Sequence, residues 1–342
     1  MDDVAKTEAR NYISAAGYFI LAASFLIPLL ANLRSPVFIL PDSTLSLIIG
    51  IALLITASAL ILLRKRDLTA IIFFMMGFIQ LYYAFSTSGT WNTVLVGFMF
   101  LIVIIILTSK EKVKWLLFLI PLLWFIQRVV RSVTEYNPGV LIAFFAVLAA
   151  LSYYYALVCG IEKINLPGRK LLTADDKTDF KSSGSILGYM LFAVINAAWA
   201  FYNFANDNAA FPFEALQTIS LITGVLMVFV AALLLAVAKM RFTPAMFFLA
   251  GLAVIFASLV DGVMLFGVAL LFLAIGVFAI FRKESRKIPG IMFILSSVIY
   301  FILSTTGAED MVFAVGIIDM IIAVIAVYLC FVVYTDWKLP KF

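Results

Sequence analysis

The chain contains no histidine. That removes imidazole proton switches, histidine-ligated haem and most zinc sites. Charge is scarce: 13% of the 342 residues are Asp, Glu, Lys or Arg, while 65% are apolar. A soluble domain carries about twice that share of charge, and no polar stretch here is long enough to form one. Only two cysteines occur, Cys159 and Cys330, near the same end of the last apolar run of each half. They read as apolar filler, and the charge bias described below puts both near the reducing side, where no disulfide is expected. There is no metal-ligand cluster, no glycine-rich phosphate loop and no serine with a base beside it in sequence. No enzyme activity, metal or cofactor is therefore expected. The basic residues are scattered over short loops rather than gathered in a stripe, so nucleic acid is not an expected partner.

What the chain has is apolar runs of bilayer-spanning length. The first runs from Tyr12 to Leu33 and recurs as Ile186 to Asn206. It is longer than a signal-peptide core and has no small-residue cleavage site, so it is expected to be retained. Further spans are expected at 44–63, 68–86, 92–109, 113–131 and 138–160. The second half has 185–206, 213–238, 243–260, 262–281, 288–306 and 310–334. The runs are continuously apolar, without the alternation of a barrel strand. The expected fold is an all-α integral membrane protein with twelve transmembrane helices.

An internal repeat organises these helices. Ser46 to Gly77 and Ser220 to Gly251 align at a constant offset of 174, with 11 of 32 positions identical, among them Gly50/Gly224, Lys65/Lys239, Thr69/Thr243, Phe73/Phe247 and Gly77/Gly251. Each copy is an apolar run, a short basic turn and a second apolar run. Six helices per half is an even number, so both copies enter the membrane in the same direction. The expected architecture is two parallel six-helix bundles: a first repeat at 1–160, a cytoplasmic linker at 161–183 and a second repeat at 184–342.

Loop charge sets the orientation. With Met1 in the cytoplasm, cytoplasmic segments hold 21 of the 24 Lys and Arg residues; only Arg34, Arg128 and Arg131 lie outside. This one-sidedness supports a plasma-membrane protein with both termini cytoplasmic. The 161–183 stretch is the only long polar one. It reads as a flexible linker, with a docking or regulatory role as the alternative.

The layout resembles a known family. A glycine-bearing second helix precedes a basic turn. Thr and Phe open the third helix, and a glycine follows one turn later. Gly97 and Gly267 mark the fourth helix, Lys110-Glu111 and Lys283-Glu284 the next turn, and an aromatic-rich fifth helix follows. Gly17-Tyr18 and Gly188-Tyr189 stand at a Gly-Phe pair of that family, and Asn32 and Asn203 where its first helix ends. This pattern resembles the acetate uptake transporters, which are succinate–acetate/proton symporters, and more distantly the urea and amide channels. The family's Asn-Pro-Ala-Pro-Leu-Gly motif is absent; Asn11-Tyr12-Ile13-Ser14 and Ser182-Ser183-Gly184-Ser185 stand there instead. The resemblance implies proton-coupled uptake of a small monocarboxylate such as acetate. It also implies a homotrimer with six lobes, since family members assemble as hexamers of single six-helix units.

Several intramembrane residues are candidates for a substrate or proton path. Asp319 lies nine residues into the last helix, where a carboxylate costs about 2.5–3.5 kcal/mol to insert. It is either a proton-binding site or a neutral acid hydrogen-bonded between helices. Asn196, Trp199 and Asn203 share one helical face. At an offset of 171 they match Phe25, Pro28 and Asn32 in sequence, so the polar stripe belongs to the second half. They either donate hydrogen bonds to a solute or hold helices together. In the first half, Gln80, Tyr82, Tyr83, Trp124 and Gln127 form either a constriction or part of the interfacial aromatic belt. Tyr153-Tyr154-Tyr155 read as belt. Arg128 and Arg131 either snorkel to headgroups or collect anions. Gly50, Gly77, Gly97, Gly224, Gly251 and Gly267 are expected at close helix contacts, and Pro28, Pro121 and Pro244 at helix kinks or starts. Two functions remain open: a transporter or channel for a small solute crossing the lipid bilayer, and a non-transporting accessory subunit of a membrane complex.

Overall fold

Backbone amides inside a bilayer must be paired within their own segment, so long apolar runs become helices. The computed structural model follows that rule. It describes residues 3–33, 42–85, 116–117, 119–133, 138–161, 166–175, 180–205, 213–238, 242–281, 287–305 and 311–335, which are helical with short turns and contain no strand. The expected span 92–109 with Gly97, the loop residue Arg34, and the side chains of Asn32 and Arg131 lie outside the described residues.

The chain forms two compact units, Met1–Asp179 and Phe180–Phe342. The first contains α1 (Asp3–Asn32), α2 (Asp42–Leu63), α3 (Asp67–Phe85), α4 (Leu119–Val133), α5 (Pro138–Gly160) and the one-turn α6 (Arg169–Leu172). The second contains α7 (Phe180–Ala205), α8 (Phe213–Ala238), α9 (Phe242–Leu259), a 3-10 turn (Gly262–Met264), α10 (Leu265–Phe281), α11 (Lys287–Thr305) and α12 (Val312–Thr335). Among the described residues ten helices are long and apolar enough to cross a membrane. The protein is an all-α multi-pass membrane protein.

Of the expected span 113–131, residues 113–115 and 118 lie outside the described residues, and the helix begins at Leu119. α4 covers 15 residues, about 22 Å at 1.5 Å per residue. Pro121 is its third residue; Pro244 and Pro289 take the same place in α9 and α11. A first-turn proline sacrifices no helical hydrogen bond, which makes these prolines helix starts. Pro28 lies inside α1.

Among the described residues three helix pairs touch glycine to glycine. A Cβ on Gly50 would stand 2.9 Å from the carbonyl oxygen of Gly77, and the reverse distance is also 2.9 Å. The same approach recurs between Gly224 and Gly251 at 2.8 Å each way, and between Gly276 and Gly290 at 2.8 and 2.9 Å. Gly276 and Gly290 are additions to the expected set. Gly267 is a correction: a Cβ there meets nothing within 4 Å, so it permits no close contact.

The α2–α3 turn needs only residues 64–66, two of them left-handed: Arg64 at φ 58° and Lys65 at φ 65°. Non-glycine residues there cost roughly 1–2 kcal/mol each. The turn delivers Arg66 into a fully buried position. Its guanidinium donates to the carbonyl oxygens of Leu172 and Thr173 and to Asn11 Oδ1, the last at 2.9 Å. Asp175 pairs with Arg10 at 3.5 Å and Lys65 at 3.6 Å. Tyr154 donates its hydroxyl to the Pro167 carbonyl at 2.8 Å. Residues 166–175 are thus docked on the end of the first unit rather than loose. Arg66→Ala is expected to release them. Charge-assisted hydrogen bonds contribute about 1.5–3 kcal/mol each, so trypsin cleavage after Arg169 or Lys170 should rise about tenfold or more. Digestion at the wild-type rate would contradict the anchor.

Tyr155 is a second correction. It is not at the interface: it is 1% exposed and meets Tyr18 edge-on at 5.3 Å. Tyr153 remains 47% exposed, against Phe19. Cys159 and Cys330 are both buried and free.

Candidate functional site

In the second unit each helix packs on the next in sequence, and α12 returns to α7. The result is a closed ring of six. The pairs α7–α12, α8–α9 and α10–α11 are its tight joints. A cavity of about 660 Å³ lies within this ring, and all six helices line it. The lining comes from the C-terminal parts of α7, α9 and α11 and the N-terminal parts of α8, α10 and α12. The cavity therefore occupies one end of the bundle, the end of the α7–α8, α9–α10 and α11–α12 connections. Phe213, Asp261 and Gly262 on its lining are exposed, which marks its mouth.

The α7 stripe faces this cavity. Asn196, Trp199 and Asn203 all line it, as does Asp319 on α12. Asn203 Nδ2 donates to Asp319 Oδ2 at 3.3 Å, joining α7 to α12. Asp319 is only 5% exposed. Asn196 Nδ2 donates to the Phe192 carbonyl at 2.7 Å in its own helix. Trp199 Nε1 donates to Ser220 Oγ at 3.1 Å, and Ser220 passes its proton on to the Leu216 carbonyl at 2.8 Å. Ser296 Oγ donates to the Met292 carbonyl at 3.1 Å. In each of these bonds a side-chain hydrogen goes to a protein acceptor, and each amide keeps a second N–H.

Aromatic rings make the walls. Trp199, Tyr202 and Phe213 meet at centroid distances of 5.9–6.0 Å, steeply inclined to one another. Tyr300 stacks on Phe272 at 5.5 Å and 4°. Beyond Phe272 the cavity ends in a cluster with Phe192 and Phe293, at centroid distances of 5.4–6.2 Å. These three are at most 2% exposed.

The first-half candidates are elsewhere. Gln80, Tyr82 and Gln127 are buried in the first unit and do not line this cavity. Gln127 is fully buried, with neither amide atom hydrogen-bonded. Next to it in sequence, the Arg128 guanidinium lies 4.4 Å over the Tyr83 ring and 5.7 Å from that of Trp124. That is a cation–π placement rather than a bare reach to headgroups.

Sequence reasoning missed Tyr202, Ser220, Asp261, Ser296 and Tyr300. Tyr202 was within reach, three residues after Trp199 on the same face. Ser220 and Ser296 carried no signal, because serine inside an apolar helix is usually bonded to its own backbone, as both are here. No family model, no curated protein and no solved structure matches the chain, so its function is read from the cavity itself.

Proposed function

We propose that the second unit is a conduit for a small solute, in a transporter or channel. The carrying observation is a cavity enclosed by a closed ring of six apolar helices, open at one end and stopped at the other by three phenylalanines. Ligand pockets of about 300–1,000 Å³ are typical of small-molecule sites. Two further readings belong to this proposal. The units are tandem copies in the same orientation, twelve helices in all. This is supported by the matching glycine approaches and by the edge-on pairs Tyr18–Phe73 at 4.9 Å and Tyr189–Phe247 at 5.0 Å. The bias of Lys and Arg puts the cavity mouth on the outer side of the plasma membrane.

A monocarboxylate such as acetate, with proton coupling, is the solute that the resemblance implies. It would need Asp319 protonated, because among the described residues no Lys or Arg lines the cavity. The accessory-subunit reading is favoured by one observation, the closed inner end. Proteoliposomes holding the full chain separate the two. Swelling in iso-osmotic acetate, urea or methylammonium is expected to exceed that of protein-free vesicles for at least one solute. In a Cys159→Ala/Cys330→Ala background, Ser220→Cys reacted with a membrane-impermeant thiol reagent is expected to slow it. Swelling at the protein-free rate with all three solutes would end the conduit reading.

A further inference from the structure

We infer that the second unit's cavity binds a small organic cation of the alkylammonium class. The inference deepens the conduit reading and rests on it. It begins with charge. Among the described residues two carboxyl groups line the cavity, Asp319 within and Asp261 at the mouth, and no Lys or Arg accompanies them. A carboxyl that is 5% exposed inside a ring of apolar helices either keeps its proton or is matched by a counter-charge. Its partner in the protein is a neutral amide, Asn203, at 3.3 Å. A positively charged ligand supplies the missing charge, whereas a carboxylate ligand adds a second negative one.

Hydrogen bonding points the same way. The hydrogens of Trp199 Nε1, Ser220 Oγ and Ser296 Oγ are directed to protein acceptors, as is one from each of the Asn196 and Asn203 amides. The orientation of both amides is settled by their partners, since a carbonyl or carboxylate oxygen only accepts. Each amide keeps one further N–H. The remaining groups are mainly acceptors, which suits N–H donors or polarised N–CH₃ groups. Among the described lining groups an anion would find as donors the second N–H of each amide and the Tyr202 and Tyr300 hydroxyls.

The walls fit as well. Trp199, Tyr202 and Phe213 are inclined at 49–82° to one another, as the sides of a cup rather than a stack. Ring faces attract ammonium groups, most strongly those of tryptophan, by about 0.5–2 kcal/mol each. Asp261 is exposed and stands just before the 3-10 turn, ahead of Gly262 at φ 58°, with no capping hydrogen bond from its carboxyl group. A carboxylate at the mouth raises the local concentration of cations. A bare metal ion fits less well. Calcium and magnesium take six or more oxygen ligands, and among the described residues no group of three His, Cys, Asp or Glu stands together.

The test uses the full-length protein in detergent micelles and in proteoliposomes, with tetramethylammonium, methylammonium and acetate as probes. Calorimetry is expected to show both ammonium ions binding and acetate not competing. Trp199→Phe is expected to remove the accompanying change in tryptophan fluorescence. Asp319→Asn is expected to weaken tetramethylammonium about tenfold or more, equivalent to about 1.4 kcal/mol. Should Asp319→Asn fail to fold, Asp261→Asn carries the test: at low salt it weakens binding a few-fold, and the difference fades as salt rises. Acetate binding without ammonium binding would overturn the cation class and leave the conduit intact. Ammonium affinity unchanged in a folded Asp319→Asn protein would also overturn it. No binding of any probe, with vesicles as tight as protein-free ones, would overturn both readings.

Discussion

Phe293→Ala, alone or combined with Phe192→Ala, is expected to turn the blind end of the second unit into a leak. Phe192, Phe272 and Phe293 are at most 2% exposed and lie within 6.2 Å of one another by centroid. Nothing polar belongs to that cluster, so a hydrated solute meets an apolar barrier. Each 1.4 kcal/mol removed from the barrier raises passage about tenfold. Truncating one or two rings is therefore expected to raise the vesicle swelling rate in urea by about tenfold or more. Phe→Ala in a packed core costs about 3–5 kcal/mol of stability. Phe293→Leu, which keeps most of the volume, is expected to be milder in both respects. A monodisperse double variant that swells no faster than wild type would show that the cluster is packing and not a stop.

Gly251→Ala is expected to bring the largest loss of stability for the smallest chemical change. The added methyl would lie 2.8 Å from the Gly224 carbonyl oxygen and 3.0 Å from Val228. The first of these is backbone, so relief requires α8 and α9 to part. Overpacking of this kind costs about 1–3 kcal/mol, and Gly251→Val is expected to cost more. Gly267→Ala is the control: open space surrounds it, and alanine improves helix propensity by about 1 kcal/mol. Thermal melting in detergent should separate the two clearly. Equal shifts in Tm would mean that the close approach of α8 and α9 carries no weight.

The elements that sequence could reveal are those whose signal is local. Apolar runs of span length mark most helices. The three- and seven-residue spacings of Asn196, Trp199 and Asn203 put them on one face, and that face does line a cavity. What escaped was long-range or directional. Arg66 looks like Arg64 and Lys65 on paper, yet its acceptors lie 55, 106 and 107 residues away. Tyr155 is one of three adjacent tyrosines, and only packing against Tyr18 separates it from its neighbours. The spacing leaves the stripe either donating to a solute or holding helices together. Each amide gives one hydrogen to a protein oxygen and keeps a second, a division that no spacing rule discloses.

The buried guanidinium of Arg66 has a consequence for synthesis. Its acceptors, Asn11, Leu172 and Thr173, all precede Phe180, where the second unit begins. A nascent chain can thus supply hydrogen-bond acceptors to its most awkward buried group while later helices are still in the ribosome. Domains emerging in order from the N-terminus benefit when each can finish alone, and the position matching Arg66 at the 174-residue offset is Met240, which demands no such provision.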